Sequence, residues 1–286
     1  MASTSRPLSW VFTFLSLLLL SPLIAADTAG CGKTPTITSG SRTLTVNNKS
    51  RRYIVRLPSN YDRTKPHRLI FGVHWRDADY QAVDGGSAPY YGLRNLATGN
   101  HSATIFVSPD GLNKGWANSG GEDIALFDAI IKALSDDLCI NEKLIFSLGF
   151  SYGGAMSYSL ACSRPKVVRA VAVLSGAQLS GCSGGTDPVA FYLQHGVRDS
   201  VLGVQMGKQL RDNMLRRNGC ASKNAPDVAR NSRSRSKTEY QCTAGYPVTY
   251  VSFDGDHTAL PNDSGGDGGA NSWSIREVDT FFKQFS

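Results

Sequence analysis

The sequence predicts a single-domain α/β fold, with a mostly parallel central sheet covered by helices on both faces. Three observations predict it. Short apolar runs at 69–73, 104–108, 143–148, 167–174 and 248–253 alternate with segments of helical spacing. Strands and helices in that order build a parallel sheet buried on both sides. Gly149-Phe150-Ser151-Tyr152-Gly153-Gly154 joins an apolar strand to a run of small, helix-compatible residues. Finally, no linker-like shift in composition divides the chain, and 286 residues suffice for one large domain.

The chain opens on a targeting segment. Arg6 supplies positive charge, Trp10 to Leu20 an apolar stretch, and Ser21 to Ala26 a small-residue end. This reads as a secretory signal peptide over 1–26, too short and wrongly flanked for a membrane span. Residues 27–286 then form the folded domain. Thr43 to Val46 and Arg52 to Leu57 alternate as two strands around a turn at 47–49. The run 69–73 suits a buried parallel strand, with His74-Trp75-Arg76-Asp77 at its C-terminal end, the edge where open parallel sheets bind ligands. Tyr90 to Leu96 reads as helix, 104–108 as a central strand, and Asn113 to Gly121 as a polar loop holding Trp116 and Asn118. Ile124, Leu126, Phe127, Ile130, Ile131 and Leu134 mark one face of an amphipathic helix over 122–138. Beyond the Ser151 unit come strands at 167–174 and 189–196, a helix over 204–218, a strand at 248–253 and a closing helix over 273–285.

Composition narrows the function. The chain is 41% hydrophobic and 19% charged, which excludes global disorder. All six cysteines lie beyond the targeting segment, and an even count in an exported chain implies three disulfides. Only Cys220 with Cys242, flanking one polar loop, suggests itself as a pair. No Cys-x-x-Cys or His-rich cluster points to a metal. Asn48, Asn100 and Asn262 head glycosylation sequons. The net charge of +7 sits partly in Arg230 to Lys237, read as a solvated loop. It has no interleaved aromatic residue, so no nucleic-acid partner is expected.

Strand, Gly-x-Ser-x-Gly, helix is the context of a nucleophile elbow, with Ser151 on a tight turn and a helix N-terminus behind it. A serine needs a base, and the order serine, acid, histidine leaves His195 and His257. His257, just past the last strand and before a glycine-rich loop, is the stronger candidate. Asp199 follows a strand at the same edge and is the candidate acid, holding the histidine tautomer. Asp187 precedes its strand on the wrong edge, and Asp254 and Asp256 lie too close to His257 in the chain. Backbone amides of Tyr152 and Trp75, with Arg76 as runner-up, are the candidate oxyanion donors. His74 reads as a structural histidine. Trp116 is either an aromatic wall for substrate or a core tryptophan.

Phe71-Gly72-Val73-His74-Trp75-Arg76, Gly115-Trp116-Ala117-Asn118-Ser119-Gly120-Gly121-Glu122-Asp123, the elbow, His195-Gly196-x-x-Asp199 and Gly255-Asp256-His257-Thr258 together resemble secreted fungal feruloyl esterases of the type D kind. These group with acetylxylan esterases and polyhydroxybutyrate-depolymerase-like enzymes. The resemblance spans nearly the whole chain beyond residue 26. It implies an α/β-hydrolase fold and hydrolysis of feruloyl esters on arabinoxylan of plant cell walls; with the targeting segment, the expectation is a secreted monomer with no cofactor, metal or membrane partner. It also implies Ser151, Asp199 and His257 as triad. Asp77-Ala78-Asp79 stand where family members often carry glycines, which bears on the oxyanion loop. Acetylxylan esterase or polyester depolymerase activity is the alternative within hydrolases. A silent carbohydrate-binding protein on a hydrolase scaffold is the alternative outside them.

Overall fold

The computed structural model describes residues 28–96 and 104–285, together with residues 1 and 2. The expected signal peptide and the sequon at Asn100 therefore fall outside the described residues, apart from those first two positions. In chain order the elements are β1 (Gly40–Val46), β2 (Lys49–Arg56), β3 (His67–Val73), α1 (Tyr80–Asp84), β4 (Thr104–Pro109), α2 (Glu122–Asp137), β5 (Ile140–Phe150), α3 (Tyr152–Ser163), β6 (Ala170–Leu174), β7 (Ala190–Gly196), α4 (Val204–Arg217), β8 (Arg235–Tyr240), β9 (Val248–Phe253) and α5 (Trp273–Lys283).

Among the described residues the strands form one sheet in the order β1-β2-β4-β3-β5-β6-β7-β9-β8. From β4 to β9 every neighbouring pair is parallel. The antiparallel β1, β2 and β8 close the two sides.

Because side chains alternate across a strand, each central strand feeds two cores. Leu69, Phe71 and Val73, with Val107, Val171, Phe191 and Leu193, pack under α2, α3 and α4. Ile70, Phe106, Phe146, Leu148, Ala172 and Tyr192 pack on the other face against α5, through Ile275, Val278, Phe281 and Phe282. Two faces buried at once is why these strands read as unbroken apolar runs in the sequence.

Two expectations are corrected. The stretch read as a solvated loop continues into β8, which pairs antiparallel with β9. Its Arg235, Lys237 and Glu239 are largely turned outward while Thr238 and Tyr240 are buried, the pattern of a charged edge strand that resists further pairing. Tyr90 to Leu96 is not a full helix: Tyr90 and Tyr91 take positive φ, and only Leu93–Leu96 form a 3₁₀ turn. Cys220–Cys242 pairs as expected, and Cys31–Cys139 and Cys162–Cys182 complete the three disulfides. No helix among the described residues is long and apolar enough to cross a membrane.

Candidate active site

The candidate residues gather at one edge, because each follows the C-terminal end of a parallel strand: Trp75 after β3, Ser151 after β5, Asp199 after β7 and His257 after β9. Ser151 sits at φ 56°, ψ −117°, a conformation that L-residues adopt only under constraint from their surroundings. The surroundings supply it. The Ser151 amide donates to Leu174 O at 2.9 Å and its carbonyl accepts the Ala155 amide at 3.0 Å. A Cβ on Gly149 would lie 2.4 Å from the Gly153 backbone, and one on Gly153 would lie 2.1 Å from Val73 O. Only glycines let the β5–α3 turn close and let α3 begin directly against the loop after β3.

That contact sets the first turn of α3, which Tyr152 opens, against the loop that carries Trp75. Tyr152 is the first residue of α3, so its amide has no acceptor within the helix. Neither it nor the Trp75 amide donates to a carbonyl among the described residues. The loop that carries Trp75 is clamped. His74, fully buried, donates from Nδ1 to Trp75 O at 2.7 Å and accepts the Gly111 amide on Nε2 at 2.9 Å. Burial lowers its pKa from the ordinary value. Both ring nitrogens are thus committed to backbone, as a structural histidine requires. Asp77 adopts φ 64° and its amide donates to Lys114 O at 2.9 Å. Asp79 caps α1 by accepting from the Gln81 and Ala82 amides. Asp77 and Asp79 therefore hold the turn themselves.

Of the two readings of Trp116, aromatic wall or core tryptophan, its burial fits the second and not the first. It is 0% exposed, its ring lies 4.7 Å from that of His74, and its indole N–H donates to His74 O at 2.8 Å. It buttresses the loop from below. The aromatic surface near Ser151 is instead made by half-buried Phe150 and Trp75, with ring centroids 6.3 Å apart. Phe150 occupies a variable position of the elbow motif, so no sequence signal singled it out. Nor does any sequence pattern mark Tyr91. Its buried hydroxyl donates to Val73 O at 2.6 Å and accepts the Phe150 amide at 3.3 Å, tying the ends of β3 and β5 together.

Asp199 and His257 meet. His257 Nδ1 lies 2.8 Å from Asp199 Oδ2, and Asp199 Oδ1 accepts from the Val201 and Leu202 amides at 3.0 and 2.7 Å. Burial pushes the Asp199 pKa up, but hydrogen bonds from His195, His257 and the Leu202 amide outweigh it, leaving the carboxyl well below its ordinary value. The rejected acids do other work. Asp254 accepts from Arg198 Nε and the Arg233 amide, each at 2.8 Å, and Asp256 Oδ1 accepts from the Ser200 and His257 amides. Through them the acid and histidine loops are fastened to each other. Asp187 lies near Lys166, at 3.6 Å, and precedes β7.

The His257 ring packs 4.6 Å from that of Phe150, the neighbour of Ser151. No hydrogen bond joins Ser151 to His257 among the described residues; such contacts are often long in a free enzyme and tighten around substrate.

The fold and the elbow define the class, an α/β-hydrolase, and the relatives make it a carboxylic ester hydrolase. No protein-family profile matches the chain. It is 51% identical to feruloyl esterase D of Neurospora crassa, over 96% of this chain and 97% of that one. It is 42% identical to feruloyl esterase C of Emericella nidulans, over 87% and 90%. The chain belongs to the feruloyl esterase C and D family. Its fold is also similar to a ferulic acid esterase from Anaeromyces mucronatus solved with ferulic acid, at 19% identity and a TM-score of 0.52, covering 66% of this chain and 84% of that one.

Proposed function

We propose that the protein is a secreted serine esterase that releases ferulate and related hydroxycinnamates from esters on arabinoxylan, with Ser151, His257 and Asp199 as triad. His257 Nε2 takes the Ser151 proton as the hydroxyl attacks the ester carbonyl. The Tyr152 and Trp75 amides receive the oxyanion. The intermediate collapses, the ester C–O bond breaks, and His257 returns the proton to the departing sugar hydroxyl. Water, deprotonated by the same imidazole, attacks the acyl-enzyme and frees the acid and Ser151.

The observation that carries the triad is the 2.8 Å bond to a buried, anionic Asp199 from His257, whose ring packs against Phe150 of the elbow. The half-buried Trp75 and Phe150 rings support an aromatic acyl group over an acetyl group. Export is supported by three disulfides and by the membership of the family.

The test compares the wild type and Ser151→Ala on methyl ferulate and acetylated xylan. Ferulate release by the wild type and none by the variant is expected. A variant with retained turnover, or a wild type that acts only on acetyl groups, overturns the triad or the substrate respectively.

A further inference from the structure

A second histidine shares the oxygen that orients His257. His195 ends β7 and is 0% exposed. Its Nε2 lies 3.1 Å from Asp199 Oδ2, the same atom that accepts from His257, and 2.6 Å from Leu202 O. A carbonyl oxygen only accepts, so Nε2 carries a hydrogen, shared between that carbonyl and the carboxylate. Asp199 is thereby held by four donors: two amides on Oδ1 and two imidazoles on Oδ2.

The rest of the His195 ring is held sterically. Its Nδ1 is buried with no hydrogen-bond partner, a cost that an apolar side chain of similar volume would not carry. Against it lies Gly207, inside α4. A Cβ there would fall 2.2 Å from His195 Nδ1 and 2.8 Å from Cγ. Glycine is among the poorest residues for a helix interior, and at this position it makes room for the imidazole.

We propose that His195 is a positioning residue, fixing Asp199 Oδ2 where it can hold the His257 tautomer, and that Gly207 is the seat that fixes His195. The inference rests on the triad proposed above. Its chemistry is specific: a donor is needed at the Nε2 position, not merely a filled volume. Glutamine places an amide nitrogen close to that position and leucine places none.

The experiment measures kcat and KM on methyl ferulate, with thermal melting, for the full disulfide-bonded protein carrying His195→Leu, His195→Gln or Gly207→Ala. His195→Leu is expected to lose about 10²-fold in kcat, the scale of a displacement of about 1 Å in a catalytic group, with KM held within a factor of about two because substrate binding is untouched. His195→Gln is expected to recover most of the loss. Gly207→Ala is expected to lower kcat as His195→Leu does, although alanine is the better helix former. If His195→Leu does not fold, the other two variants decide. A folded His195→Leu with wild-type kcat overturns the inference, as does a glutamine variant no more active than the leucine variant. Ser151→Ala runs alongside: an inactive Ser151→Ala beside a fully active His195→Leu sinks this inference alone, whereas an active Ser151→Ala sinks the triad beneath it.

Discussion

A carboxylate buried among four donors has little freedom, and Asp199 shows what that confers. Its charge is held by the Val201 and Leu202 amides and two imidazoles, so replacing one oxygen with an amide group disturbs both histidines. Asp199→Asn is expected to lower kcat by about 10⁴-fold, because the His257 tautomer is no longer fixed. Steady-state kinetics on methyl ferulate, with circular dichroism to confirm folding, check this. The same residue sets an acid limit. Its folded pKa lies below the ordinary 3.8. Between the ordinary and the folded values the unfolded chain therefore binds the extra proton. Its stabilising contribution is complete above the ordinary value and is lost as pH falls through the folded one. Denaturation followed from neutral pH to below 3.8 is expected to show a decline that Asp199→Asn flattens.

At the scale of elements, the proposed oxyanion loop is held by a fully buried tryptophan. Trp116→Phe keeps an aromatic ring but removes the N–H that serves His74 O. The buried carbonyl left unpaired costs about 1–3 kcal/mol. We expect a lower melting temperature and lower kcat, with KM for methyl ferulate little changed; a rise in KM alone would instead restore Trp116 to the substrate surface. This element also marks where the sequence was legible. The elbow could be read because close packing of Gly149 against Gly153 demands small residues in a fixed order. The paths of Asp199 and His257 followed from strand order and the rule that sites gather at one sheet edge. A tryptophan between Gly115 and Ala117 carries no such mark, since burial depends on what folds over it. The charged edge strand β8 escaped for a related reason: Arg235, Lys237 and Glu239 look the same in a loop as on the rim of a sheet.

Across the whole molecule, the disulfides divide by reach. Cys162–Cys182 and Cys220–Cys242 close short loops, with separations of 20 and 22 residues. Cys31–Cys139 spans 108, a pairing without any local pattern to betray it. It fastens the segment before β1 to the start of β5, where Thr28 Oγ1 also donates to Leu138 O at 2.6 Å. Chain-entropy reasoning gives a loop of this size about 4.7 kcal/mol. Replacing both cysteines by serine is expected to lower the melting temperature more than removing either of the other bridges, as calorimetry of the three double variants will report.

The fastening of the acid loop to the histidine loop, through Arg198 with Asp254 and Ser200 with Asp256, and the close approach of Gly196 to the Gly255 carbonyl, join two returns of the chain into one rigid jaw. The opposite jaw, bearing Trp75 and its neighbours up to Asp79, turns at the left-handed Asp77. Redesign toward other acyl groups therefore has an asymmetric terrain: on the second jaw only the backbone of Trp75 is asked to serve the reaction, so its side chains are expected to be open to change, whereas side-chain changes at Asp199 and His257 on the first are expected to forfeit the ability to cut.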